Sequence, residues 1–255
     1  MATPLTTPAT PPPRPDPHAL DLSIIVPTYN ERDNVGVLTW LLRRALAPLG
    51  LRSEVVFVDD ASPDGTADAV RALQPAFGDS PAVRLVCRPA KLGLGTAYAA
   101  GLAASRGALV VLMDGDLSHN PKHIPELLAV QRGTSADVVS GTRYTRGGGV
   151  AGWNLRRKLT SRGANLLASF LLGAQATDLT GAFRLYRREA LVALLAATTS
   201  RGYAFQMEVI VRAQYDGMRI EEVPIVFVDR LYGKSKLGAG EYVQFVRGLA
   251  GLLVG

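Results

Sequence analysis

A chain of 255 residues, 47% apolar and 20% charged, has room for one large α/β domain with a substantial core and the balance of a soluble protein. Its net charge of +6 is not laid out as a stripe of basic and aromatic residues, which argues against nucleic acid; the excess suits phosphates or an anionic membrane face. One cysteine, Cys87, excludes an internal disulfide and reads as a buried thiol in a reducing compartment, and no run reaches the ~18–20 apolar residues of a membrane-spanning helix.

Residues 1–20 are rich in Pro, Thr and Ala and predict a disordered tail; without an apolar core they do not read as a secretory signal. Leu22 to Val26 is β-rich and ends at Pro27, which is expected to close the strand. Asp33 is placed to cap the next helix, whose apolar positions Val37, Leu38, Leu41, Leu42 and Leu46 have helical spacing and which Pro48 and Gly50 end. Glu54 to Val58 is a second strand, Ser62-Pro63-Asp64-Gly65 a turn, and a helix follows to about Phe77. Val83 to Cys87, Ala108 to Met113 and Asp137 to Ser140 are further strands, separated by helices ending near Ser105 and spanning Pro121 to Gln131. Strands alternating with helices give a mostly parallel sheet covered on both faces, which binds ligands at the carboxyl ends of its strands.

The second half predicts a long helix from Trp153 to Leu172, basic at its start and apolar later. Phe183 to Tyr186 and Ile220 to Val228 read as strands, and Tyr203 to Tyr215 as a helix. A last amphipathic helix, within residues 239–255, either packs on its own domain or docks on a membrane surface or membrane partner.

Chemistry gathers at the strand ends. Pro27-Thr28-Tyr29-Asn30-Glu31 offers Tyr29 for stacking on a base. Asp59-Asp60 ends the second strand, and Asp60, nearer the loop, is the better candidate to accept from the N–H groups of guanine or uracil. Asp114-Gly115-Asp116 is the most specific local signal: two carboxylates one residue apart, after an apolar run, suit a hard cation such as Mg²⁺ or Mn²⁺ that neutralises a diphosphate. Gly115 lets the backbone approach a ligand. His119 is expected behind these carboxylates or at the surface, and His123 on an exposed helix face. Arg143 ends the fifth strand, ahead of the flexible Gly147-Gly148-Gly149. Arg156, Arg157, Lys158 and Arg162 cluster at the start of the long helix, where Arg157 and Ser161 share a face and can hold a phosphate together. Arg230 and Lys236 sit in a glycine-containing loop and can clamp a diphosphate.

Taken together, the chain resembles the dolichyl-phosphate (polyprenyl-phosphate) mannosyltransferases of inverting glycosyltransferase family 2. The resemblance is carried by Val26 to Glu31, Val58 to Thr66, Lys91 to Tyr98, Met113 to His119, Ser140 to Tyr144, Ser161 to Asn165, Asp178 to Arg184, Gly202 to Glu208 and Arg230 to Leu237, in order from about Leu22 onward. The early stretches are shared by many family 2 enzymes, and the later ones are particular to the mannosyl-phosphate branch. The resemblance implies a GT-A fold over 21–238, GDP-mannose as donor, Mg²⁺ or Mn²⁺, and dolichyl phosphate as acceptor. It implies that Pro27, Tyr29, Glu31, Val58 and Asp60 surround the nucleoside and that Asp114, Gly115 and Asp116 hold metal and diphosphate. Arg143, Arg230 and Lys236 then grip phosphates and sugar, with Arg157 and Ser161 near the acceptor phosphate. Gly115 stands where Ala is usual, and Ser118 where some relatives carry a Gln near the metal. It further implies the form served by small transmembrane subunits at the cytosolic face of the endoplasmic reticulum.

Competing expectations are a polyprenyl-phosphate glucosyl- or GlcNAc-type transferase of the same fold and a non-catalytic subunit of a membrane complex. A nucleotide-dependent oxidoreductase, suggested by Gly93-Leu94-Gly95, lacks Gly-x-Gly-x-x-Gly and leaves the carboxylate pair unexplained.

Overall fold

The computed structural model describes residues 20–78, 81–200, 202, 204–229 and 249–251. Its strands are β1 (Leu20–Thr28), β2 (Ser53–Asp59), β3 (Ala82–Cys87), β4 (Gly107–Leu112), β5 (Val138–Thr142), β6 (Gly149–Ala151), β7 (Arg184–Arg187), β8 (Ile220–Pro224) and β9 (Val226–Val228). The main sheet runs β3-β2-β1-β4-β7-β5-β8, and β6 pairs with β9 in a small second sheet. Within the main sheet only β7 is antiparallel to its neighbours, β4 and β5. The expected α/β class, mostly parallel, therefore holds.

The helices are α1 (Arg32–Leu46), α2 (Thr66–Phe77), α3 (Leu94–Ala104), α4 (Ile124–Thr134), α5 (Leu155–Leu171), α6 (Arg188–Ala197) and α7 (Phe205–Tyr215). Alternation along β1 sends Leu22, Ile24 and Val26 into one core with α1, α2 and α4, and Ile25 into the other with α3, α6 and α7. At the amino end of the sheet the fully buried Glu54 accepts from Ser23 Oγ (2.7 Å) and the Arg106 amide (2.6 Å), tying β1, β2 and the approach to β4 together. The opposite, carboxyl end is left for the loops.

Several local expectations change. Pro27 does not close β1: it pairs in register with Val58, and the strand runs on to Thr28. Ile25 O accepts from Met113 on the β4 side, so the missing Pro27 N–H also faces that side, beyond the last β1–β4 pair, Ile25 with Leu112. Asp33 lies in the first turn of α1 rather than at its cap. Donors there are met from the next loop, with Arg32 N–H on Asp64 Oδ2 (3.1 Å) and Glu31 N–H on Thr66 Oγ1 (3.0 Å). Residues 220–228 form two strands, because Pro224 ends the β8 ladder and the chain crosses to pair with β6. The long helix begins at Leu155, leaving Trp153 ahead of its Asn154 cap. Cys87 is exposed, because it ends the edge strand β3. Helix α6 and strand β6 had no sequence expectation: α6 follows β7 without a break, and β6 is three residues defined only by a distant partner. Of the expected C-terminal helix, residues 249–251 are described as helical, with Leu249 buried, and the rest lies outside the described residues.

Candidate active site

The carboxyl ends of β1, β2, β4 and β5 open into a cavity of about 380 Å³, within the range of ligand pockets. Pro27, Tyr29, Glu31, Asp60, Asp114, Gly115, Asp116, Arg143, Arg157 and Ser161 all line it. Val58 does not: strand alternation puts its side chain on the sheet face that packs under α3, where it is fully buried in the core. Arg230 and Lys236 lie outside the described residues. Asn30 (φ 57°), Ala61 (φ 54°) and Leu117 (φ 65°) hold left-handed backbone in three of the loops around the cavity, a conformation L-residues adopt at a cost and one that gathers at functional sites.

The acidic wall begins where β4 ends. Asp116 is almost wholly buried, and its Oδ1 accepts from Ser118 N–H (3.1 Å); Asp114 is more open. His119 is the residue behind the carboxylates, not a surface group. Its Nδ1 accepts from the Asp114 amide (3.1 Å), and its ring stacks on Phe183 (5.2 Å) and meets Phe227 edge-on (5.4 Å). A Cβ on Gly115 would meet Thr28 and Val26 at 3.3 Å, so the glycine lets the ends of β1 and β4 close up. Ser118 Oγ lines the cavity fully buried and has no hydrogen-bond partner among the described residues. Two carboxylates and a hydroxyl are hard oxygen donors that fit Mg²⁺ or Mn²⁺ with positions left for phosphate oxygens. Among the described residues no three His, Cys, Asp or Glu side chains converge as a metal cluster.

On the wall formed by the ends of β1 and β2, Lys91 Nζ lies 5.2 Å from the centre of the Tyr29 ring. Glu31 accepts from Asn34 Nδ2 (2.6 Å). Asp60 is forked by Arg88, with Nε on Oδ1 (2.5 Å) and Nη2 on Oδ2 (2.7 Å), and Arg88 also reaches Thr96 Oγ1 (2.7 Å). The Asp60 carboxylate keeps lone pairs for a base N–H, and its orientation is fixed by this buried pair. Asp59 is the turn carboxylate, accepting from Ser62 N–H and Oγ.

The basic wall faces the carboxylates. Arg143 forms a two-pronged pair with Asp178, and Tyr144, Phe227 and Trp153 surround its guanidinium at 5.1, 5.6 and 5.9 Å. Arg157 lies 4.0 Å over Trp153 and pairs with Asp229 at 3.3 Å. Ser161 Oγ and Tyr144 Oη share a hydrogen bond of 2.8 Å. Aromatic faces thus flank both guanidinium groups beside their carboxylate partners, Asp178 for Arg143 and Asp229 for Arg157. His123 is half-buried, with Nε2 accepting from Val226 N–H (3.5 Å), rather than on an open helix face.

Sequence reasoning did not find Arg88, Lys91, Trp153, Asp178, Phe227 and Asp229 as site residues. Arg88 had a usable signal, a cation directly after a strand and level with Asp59-Asp60. Trp153 lies only four residues before Arg157, whereas Lys91, Asp178, Phe227 and Asp229 act through partners far apart in the chain.

A family model described as Glycosyl transferase family 2 matches residues 23–195. A polyprenol monophosphomannose synthase from Mycolicibacterium smegmatis is 41% identical over 219 residues, covering 84% of this chain and 80% of that protein. An undecaprenyl-phosphate mannosyltransferase from Micrococcus luteus is 40% identical over 220 residues, covering 85% of this chain and 87% of that protein. Among solved structures, glucosyl-3-phosphoglycerate synthase from Mycobacterium tuberculosis, in complex with Mn²⁺, UDP and glucosyl-3-phosphoglycerate, superposes with a TM-score of 0.65 at 21% identity. That match covers 92% of this chain and 80% of the other, and the shared architecture is the GT-A fold expected from the sequence.

Proposed function

The chain belongs to glycosyl transferase family 2, and on that premise we propose that it transfers mannose from GDP-mannose to a polyprenyl phosphate. One observation carries the reading: a single cavity sets the pair Asp114 and Asp116 against Arg143, Arg157 and Ser161. Such a site can receive two phosphate groups at once. The names of the two mannosyltransferase relatives support the mannose and the lipid phosphate.

The acceptor is a phosphate monoester, mostly dianionic at pH 7 because its second pKa is about 6. It is already a nucleophile and needs no base. An acceptor oxygen bonds to the anomeric carbon as the bond from that carbon to the GDP oxygen breaks, inverting the α-linked donor to a β-mannosyl phosphate. The difficulty is to bring two anions together. Arg143, Arg157 and Ser161 receive the acceptor phosphate, while Arg230 and Lys236 close on the donor diphosphate. Pro27, Tyr29, Glu31 and Asp60 hold the nucleoside, with Gly115 close to the diphosphate. Asp114 and Asp116 would hold Mg²⁺ or Mn²⁺, which supplies positive charge against the diphosphate. Positioning and electrostatics provide the catalysis.

Dolichyl phosphate, the acceptor expected from the sequence, is one member of the polyprenyl phosphate class; the relatives' names give polyprenol and undecaprenyl carriers. Location at the endoplasmic reticulum and service by small transmembrane subunits go with the dolichyl form alone. A peripheral seat on the membrane that holds the lipid goes with all of them. It is supported by α5, whose inner face carries Arg157 and Ser161 into the cavity while Leu155, Leu159, Leu166 and Phe170 stand exposed on the outer face. Among the described residues no helix is long and apolar enough to cross a membrane.

The test is a transfer assay with labelled GDP-mannose and either dolichyl or undecaprenyl phosphate, with and without chelator, beside UDP-glucose and UDP-GlcNAc. The expected result is chelator-sensitive transfer from GDP-mannose. Transfer from a UDP-sugar alone would reject the donor, and undiminished transfer in chelator would reject the metal.

A further inference from the structure

Asp178 lies behind the wall of the cavity, not on it. Its side chain is fully buried, and Thr180, Gly181 and Ala182 form the lining in front of it. Its oxygens accept from Arg143 Nε and Nη2 (both 2.7 Å), from the Arg143 amide (3.2 Å) and from the Gly181 amide (3.0 Å). One carboxylate therefore holds both the backbone and the side chain of Arg143. Thr180 Oγ1 adds a third anchor, accepting from Nη2 (2.7 Å).

The segment that carries Asp178 is itself clamped from two sides. Arg184, fully buried, donates to the carbonyls of Asp178 (3.2 Å), Leu179 (3.1 Å) and Gln206 (2.7 Å) and to Ser140 Oγ (3.1 Å). From α5, Asn165 accepts from Leu179 N–H (2.9 Å) and donates to the Thr177 carbonyl (2.5 Å). So many bonds leave the Asp178 carboxylate little freedom to move, and Arg143 with it. Burial pushes the Asp178 carboxyl up, but the charge and hydrogen bonds of Arg143, helped by Arg184, outweigh burial and hold it below its ordinary value.

We propose that Asp178 is a positioning residue for Arg143: it fixes the guanidinium in the orientation that meets phosphate, and it takes no proton in the reaction. The inference rests on the reading of Arg143 as a phosphate ligand. A carboxylate already accepting from five donors, the Thr180 hydroxyl (3.4 Å) among them, behind the cavity wall, is poorly placed to serve as a base, and a dianionic acceptor requires none.

The experiment compares Asp178→Asn, Arg143→Ala and the double variant in the full chain, by steady-state kinetics, pH–rate profile and thermal unfolding. Asp178→Asn is expected to lower kcat on the order of 100-fold, the penalty typical of a misplaced catalytic group. The double variant should be no slower than Arg143→Ala alone, and the residual rate of Asp178→Asn should keep the wild-type pH profile. Losses that multiply in the double variant, or a pH limb that disappears with Asp178, would overturn the proposal. If Asp178→Asn unfolds because Arg143 is left unpaired, the double variant, which removes both charges, still gives the comparison with Arg143→Ala. Arg143→Ala at wild-type rate would overturn the reading of Arg143 itself; a slow Arg143→Ala beside a wild-type Asp178→Asn would overturn the positioning role alone.

Discussion

Arg143 and Arg157 are the same residue type facing the same cavity, yet they are held in opposite ways. Arg143 is locked to a fully buried carboxylate, and cutting one partner out of such a pair costs about 3–5 kcal/mol of stability. Arg157 rests on Trp153 and reaches Asp229 only at 3.3–3.4 Å, with both partners a third or more exposed, a contact worth about 0–1 kcal/mol. Arg157 can therefore be removed with little harm to the fold. A charge-assisted bond to the acceptor phosphate contributes about 1.5–3 kcal/mol, so Arg157→Ala should raise the KM for polyprenyl phosphate roughly 10- to 100-fold. GDP-mannose binding, followed by titration of the nucleotide sugar, should change by less than about twofold. Equal losses on both substrates would remove Arg157 from the acceptor site. The arginines themselves are visible in the sequence. Their partners are not, because Asp178 and Asp229 lie 35 and 72 residues away, and nothing local marks a carboxylate as the mate of a distant guanidinium.

Helix α5 shows what periodicity does and does not tell. Its length and composition predict a helix, but a core face and a face turned outward have the same spacing. Leu155, Leu159, Leu166 and Phe170 recur on one side and are 71%, 63%, 69% and 81% exposed, with Leu167 and Leu171 beside them. The opposite side carries Arg157, Ser161, Ala164 and Asn165 to the cavity. No acidic residue falls in the helix, while Arg156, Lys158 and Arg162 flank the apolar face. A row of this size exceeds the scattered apolar residues of an ordinary surface, and the cations beside it suit an anionic lipid surface. Seated there, α5 would place the cavity beside the plane that holds a lipid phosphate. Large apolar side chains contribute about 1.5–3 kcal/mol each when removed from water. The triple change Leu159→Ser, Leu166→Ser and Phe170→Ser should accordingly lower partition onto vesicles containing anionic lipid by more than about 100-fold, while leaving Tm within a few degrees. Cosedimentation gives the first quantity and thermal unfolding the second. Undiminished vesicle binding would show that this face does not meet the lipid.

For the molecule as a whole, the parallel core was the most legible part, because strands buried on both faces write themselves as short apolar runs such as Ile24 to Val26 and Val55 to Val58. The carboxyl-end motifs followed from that order, since topology brings Tyr29, Asp60 and Asp114 to one edge. What the sequence hid depends on crossings: β7 inserted antiparallel between β4 and β5, the β6–β9 pair that carries Phe227 to His119, and the loop before α7. Two of its residues are held by Glu208, which accepts from the amides of Thr199 (2.9 Å) and Ser200 (2.8 Å) and from Arg212 Nε (2.8 Å). Burial pushes the Glu208 carboxyl up, but these hydrogen bonds more than offset it and hold it at about 2 against an ordinary 4.5. A carboxylate with a depressed folded-state pKa stabilises the fold above its unfolded value and loses that contribution as pH falls through the folded one. Asp178 is shifted in the same direction, and Glu222, pushed up by burial, in the other. Glu208→Gln isolates one of these groups. It should lower Tm by roughly 5–10 °C at neutral pH, and the gap from wild type should narrow below pH 4.5 and close near pH 2, read by thermal unfolding across that range. A gap that stayed constant down to pH 2 would mean that Glu208 holds the loop by shape and neutral hydrogen bonds, and that its charge contributes nothing to the stability of the fold.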